Sequence, residues 1–107
     1  MSKKLTYVRE WKPRRPNQRS SGTLRAIIVR LDEPVEFLGL AGPDKSGFLC
    51  VIATQFHDRS RVDAYHVDER GDALSIVFLV EKWNTVSLRE TMTEAGYDVS
   101  SWPKDIQ

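Results

Sequence analysis

The chain has 107 residues, 40% of them hydrophobic and 29% charged, with a formal net charge of +1 and a single cysteine. That length and composition suit one globular domain with one core, and they exclude two independent domains, an internal disulfide framework and a zinc cluster built on several cysteines. No uncharged run, Phe48–His57 included, approaches the roughly 20 apolar residues of a membrane span, and Met1–Glu10 lacks the apolar stretch of a signal peptide, so a cytoplasmic protein with no membrane partner is expected.

The small net charge hides an asymmetry. Residues 1–30 hold nine cations and one anion, Glu10, whereas the rest of the chain holds seven cations and fourteen anions. Within the basic part, Trp11 to Gly22 contains Pro13, Pro16, Asn17, Ser20 and Ser21 and no apolar residue after the Trp. Residues 1–22 are therefore expected to form a flexible, disordered basic arm, and residues 23–107 the single folded domain. Trp11 beside Lys12, Arg14, Arg15 and Arg19 is the mixture of stacking ring and cations that suits nucleic acid or an acidic protein. The plainer role for such an arm is solubility, or a place across the acidic body of its own or a neighbouring subunit.

The body opens with β-branched residues over Leu24–Leu31, an extra N-terminal strand, and Asp32, Glu33 and Pro34 then make a turn. Val35–Leu40 is apolar on both faces at Val35, Phe37, Leu38 and Leu40, as a central strand is. Ala41–Gly47 is a polar turn in which Asp44 or Ser46 would cap a helix. Phe48, Leu49, Ile52, Ala53 and Phe56 recur at helical spacing and predict that helix, amphipathic, from Gly47 to about Asp58. Past the charged turn Asp58–Arg61, Val62–Glu69 alternates as a strand, Arg70–Asp72 is a hairpin turn, and Ala73–Val80 is a second central strand. Ser87-Leu88-Arg89-Glu90 fits a capping box, with Leu88, Met92 and Ala95 on one helical face and Gly96 as the stop. Tyr97–Trp102, ended by Pro103, is a short edge strand.

From Val35 the order is strand, helix, strand, strand, helix, strand. The expected architecture is α+β: a ferredoxin-like βαββαβ antiparallel sheet with two helices on one face. The other face of the apolar central strands needs a cover, and a homodimer would supply one.

The run Gly42-Pro43-Asp44-Lys45-Ser46-Gly47-Phe48-Leu49, between an apolar strand and a predicted helix, resembles the signature of ACT domains, and the element order extends the resemblance over about Val35 to Ser100. It departs from that pattern at Ser46, where Pro is frequent, and at Phe48, where Leu is frequent. The resemblance implies a regulatory module binding an amino acid or similar small ligand at a dimer interface. Gly42, Asp44, Ser46, Gly47 and Phe48 would form the site. Backbone N–H groups of Ser46, Gly47 and Phe48 at a helix N-terminus would receive a carboxylate, and Asp44 an ammonium group. The alternative is that Asp44 or Ser46 only caps the helix and the glycines only make the turn.

Nothing in the chain assembles into catalytic machinery. His57, His66, Asp58 and Asp63 match no metal-ligand spacing, Cys50 between Leu49 and Val51 reads as a small buried apolar residue, and no nucleophile elbow, phosphate loop or dinucleotide fingerprint is present. The expected protein is non-enzymatic and needs no cofactor or metal. Three functions stay open: a dimeric ACT-like small-ligand module, an adaptor for nucleic acid or an acidic partner through the basic arm, and a protein-interaction or inhibitor module using the sheet edge or the open face.

Overall fold

The computed structural model describes residues 3–11, 22–83 and 87–107. Five strands run as an antiparallel meander: β1 (Lys3–Glu10), β2 (Thr23–Gly39), β3 (Gly42–Phe56), β4 (Arg59–Val67) and β5 (Ala73–Lys82). The chain then forms one helix, α1 (Leu88–Glu94), and returns as β6 (Tyr97–Asp98), which adds parallel to β1. The spatial order is β5-β4-β3-β2-β1-β6, a curled half-barrel.

This overturns the βαββαβ expectation. The stretch predicted as the first helix is the interior of β3, where Leu49, Val51 and Ala53 enter one core cluster and Cys50 enters another on the opposite face. A strand buried on both faces loses its alternation, and its apolar residues then mimic helical spacing. The branched residues Val51, Ile52 and Thr54 favour the extended form.

The expectation of a disordered arm is corrected over residues 3–11. Leu5 pairs with Leu31 and Tyr7 with Val29, and Leu5 is fully buried. Charge obscured an ordinary strand: Leu5 and Tyr7 point to the core while Lys4 and Thr6 alternate with them. Residues 12–21, with Lys12, Arg14, Arg15 and Arg19, lie outside the described residues. They join two adjacent strands rather than trailing from an end.

The two sheet faces are covered unequally. On the main face Leu5, Ile27, Val29, Leu31, Leu49, Val51 and Val62 pack under Leu88 and Met92 of α1 and under Val99, Trp102 and Ile106 of the C-terminal segment. Ser87 caps α1 by accepting from the Glu90 N–H at 3.1 Å. Arg89 ties the helix to that segment by donating to the carbonyls of Val99 at 3.1 Å, Pro103 at 2.9 Å and Ile106 at 3.0 Å. On the other face Ile28, Cys50 and Val67 form a small cluster whose cover is Trp11 with Phe48, Ile52 and Tyr65. The β4–β5 turn reaches Trp11: the Gly71 carbonyl accepts from the indole N–H at 3.2 Å, and Gly71 takes φ +91°, a region suited to glycine.

β2 and β3 extend beyond their neighbours as a bent hairpin. Between the pairs Arg30↔Phe48 and Val35↔Ser46, β2 carries Leu31 to Pro34 while β3 carries Gly47 alone. The predicted turn at Asp32–Pro34 is this bulge. Pro34 fits it because a bulged residue need not donate to the ladder. The outer strand β5 is irregular as well, with register shifts that leave Val77 and Leu74 without partners in the pairing to β4, a device that blunts an exposed sheet edge.

Candidate functional site

The predicted ligand turn is not at a helix N-terminus. Gly42, Asp44, Ser46, Gly47 and Phe48 are all residues of β3, and the backbone groups of this segment serve strand pairing. Gly42, at φ +114°, opens β3 after the two-residue turn Leu40–Ala41. The Asp44 carboxylate accepts the Lys45 N–H at 2.7 Å. Ser46 is buried, donates to the Val67 carbonyl at 2.6 Å and accepts the Phe48 N–H at 3.1 Å, which fastens the hairpin to β4 beside the bulge. Phe48 packs at the edge of the small cluster with Trp11. Trp11, expected as a stacking contact, is partly exposed and packs against that cluster.

What the hairpin presents is its tip. Leu38 is 79% exposed and Leu40 fully so. The tip is uncharged from Phe37 to Pro43, and the charged residues that flank it along the hairpin are Glu36, Asp44 and Lys45. Its base is fixed at three points: Val35 packs against the main core, Ser46 holds β4, and the Phe37 ring stacks on His66 of β4 with centroids 4.7 Å apart and planes 4° apart. Sequence reasoning placed Leu38 and Leu40 in a buried central strand. The signal that marks the turn is the spacing Gly39-Leu40-Ala41-Gly42, two glycines around a two-residue connection.

His66 is the least satisfied group under this hairpin. It is 9% exposed, and its Nδ1 has no hydrogen-bond partner. Burial pushes its pKa below the ordinary imidazole value. His57 lies far along the fold from it, on the exposed β3–β4 turn with φ 51°. Among the described residues no three His, Cys, Asp or Glu stand together as a metal site. Burial pushes the Cys50 thiol up to about 12, so it is held as the inert thiol.

The opposite end of β2 differs in chemistry. Residues 12–21 carry four cations and no anion, and both flanks are tied to the sheet: the Trp11 N–H donates to Ala26 at 2.8 Å, and the Gly22 carbonyl accepts from Gln55 at 2.9 Å. A row of residues continues from Gln55 to Ser60 of β4 and on to Lys82 of β5. Several cations here are paired: Arg25 with Glu10 and Asp105 at 2.8 and 3.1 Å, Arg61 with Asp63 at 3.0 Å, and Lys82 with Glu94 at 3.2 Å. Arg59 lies instead over the ring of Trp83, 4.3 Å from its centroid, and Trp83 is 65% exposed beside a cleft of about 160 Å³ lined by Arg59, Glu81, Lys82 and Trp83. No protein-family model, curated protein or solved structure matches this chain. Among the described residues no helix is long and apolar enough to cross a membrane.

Proposed function

We propose that the protein is a non-enzymatic protein-interaction module that docks through the tip of the β2–β3 hairpin. The observation that carries this is the pair Leu38 and Leu40, exposed on a hairpin whose base is locked by Ser46, Val35 and the Phe37–His66 stack. Leaving a leucine in water forfeits about 1.5–3 kcal/mol relative to burial. A tip already held in one conformation recovers that energy in a complex with little ordering cost. The carboxylates around it select an apolar pocket with a cationic rim, and they disfavour an anionic lipid surface. A second reading, an acidic or nucleic-acid partner for residues 12–21, is favoured by the four cations of that run and the absence of any anion in it.

A photo-crosslinking residue at position 40, compared with one at exposed Lys104, tests the docking reading in extract of the source cells. A dominant adduct from position 40, removed by excess wild-type protein but not by excess Leu38→Ser/Leu40→Ser, is expected. Equal adduct patterns from both positions would overturn it.

A further inference from the structure

We propose that β5 is a self-pairing edge, joined antiparallel to the β5 of a second copy of this chain about a two-fold axis centred between Val77 and Phe78. The proposal is independent of the hairpin tip. Among the described residues β5 has a strand on one side only, β4, and its run Ala73–Val80 carries no charge. Ile76 and Leu79 stand about half exposed on it, at 55% and 47%.

The bulge at Val77 decides the occupant. Val77 and Phe78 both pack against the main core, so two consecutive residues face the same side. Ser75, in the row of His66 and Leu49, and Val80, opposite Val62, face that side too. Ile76, opposite Tyr65, and Leu79, in the row of Asp63 and Ile52, face the other. From Ser75 to Val80 the sides therefore read the same in both directions. A regular strand alternates strictly, so against β5 it agrees in side on one half of this run and disagrees on the other. The bulge thus blunts the edge toward ordinary strands. A second β5 laid antiparallel carries the matching offset: Ser75 meets Val80, Ile76 meets Leu79 and Val77 meets Phe78, each pair on one side of the sheet. The two Ile76–Leu79 pairs remove their exposed apolar surface from water.

Charge favours the same sense. Antiparallel copies bring Asp72, just before one β5, toward Lys82 at the end of the other, where the bond of Lys82 to Glu94 lies at the surface. Parallel copies would set Glu81 and Lys82 each beside its own like. The contact is isologous and uses the long free edge of both sheets, and the opposite edge is the two-residue β6, so growth stops at a dimer.

Sedimentation velocity on the full chain tests the state, with thermal unfolding to confirm that each variant is folded. Wild type is expected to show a concentration-dependent monomer–dimer equilibrium with nothing larger. Leu79→Lys sets a cation opposite Ile76 of the other copy and is expected to weaken association at least about tenfold, whereas Leu40→Ser should dimerise as wild type does. Oxidative crosslinking of Ile76→Cys and Leu79→Cys tests the register, the native Cys50 being buried. An equimolar mixture is expected to crosslink well above either variant alone. Like positions lie about 10 Å apart along the strand, beyond the roughly 7 Å Cα separation that a disulfide spans.

A wild type that stays monomeric at every concentration, or a series running past the dimer, would overturn the proposal. So would a dimer that persists in folded Leu79→Lys, or equal crosslinking in the mixture and in the single variants. A dimer lost in Leu40→Ser gives the interface to the tip instead. A monomeric wild type that still crosslinks a different protein at position 40 removes the β5 pairing and leaves the docking reading standing.

Discussion

The two faces of the sheet show how differently one fold distributes its apolar residues. The main face is sealed by a helix and a C-terminal segment that bring Leu88, Met92, Val99, Trp102 and Ile106 onto it, all of them buried. The other face has a cluster of Ile28, Cys50 and Val67 covered in part by Trp11, which is half-exposed and whose indole makes one bond to a turn. Stability is therefore concentrated on one side. The exposed Leu38, Leu40 and Trp83 all lie outside the main core.

The largest test of this contrast is Trp102→Ala. Trp102 is 3% exposed, and its indole N–H donates to the Leu5 carbonyl at 3.0 Å, joining the C-terminal segment to β1. A loss of about 3–5 kcal/mol is expected in urea unfolding. Trp11→Ala, on the thinner face, is expected to lose about 1–2 kcal/mol. If it equals Trp102→Ala, the faces do not differ as described.

Gly71→Ala sharpens the same point. An added Cβ would sit 3.1 Å from Cδ1 of Trp11 on a backbone at φ +91°, so a loss of about 1–3 kcal/mol is expected. Part of it should vanish in the Trp11→Ala background, and a double-mutant cycle measures that part. Strict additivity would show that Gly71 acts through its backbone alone.

The pH dependence comes next. Because burial lowers the folded-state pKa of His66, the unfolded chain takes up its proton more readily, and stability is expected to fall as pH drops through and below about 6.5. Glu10, held below the usual carboxylate range mainly by its bonds to Arg25, adds a loss at lower pH, since its contribution is present above the ordinary carboxylate pKa and disappears as Glu10 is protonated. In His66→Phe, which keeps a ring against Phe37, the first phase should disappear and the second remain. A first phase of undiminished size would assign it to another group.

The smallest effect is expected at the tip. Leu40→Ser should change stability by no more than about 0.5 kcal/mol, because Leu40 packs against nothing that folding buries. A larger loss would make it a structural residue and weaken its case as a contact.

How far these features were legible in the sequence varies along the chain. The hairpin turn at Arg70–Asp72 was readable because it is made locally, with Asp68 accepting the N–H groups of Arg70 and Asp72 at 2.9 and 3.0 Å. The Ser87 cap and the stop at Gly96, φ +98°, are local for the same reason. The exposure of Leu38 was not readable, since it looks like any apolar strand residue until the bulge at Leu31–Pro34 carries the hairpin beyond its neighbours.

The sequence by itself determined the Arg70–Asp72 turn, the Ser87 cap, the Gly96 stop, the burial of Cys50 and the concentration of positive charge before Arg30, all of which rest on residue type and spacing within a few positions. Only the tertiary structure decided that 48–56 is a strand, that residues 3–10 complete the sheet, and that Trp11 and Gly22 are both bonded to it. Those outcomes depend on which distant strands supply hydrogen bonds and cover apolar faces. A helix satisfies its backbone within four residues, whereas β3 needs β2 on one side and β4 on the other, and neither partner is visible in its own fifteen residues.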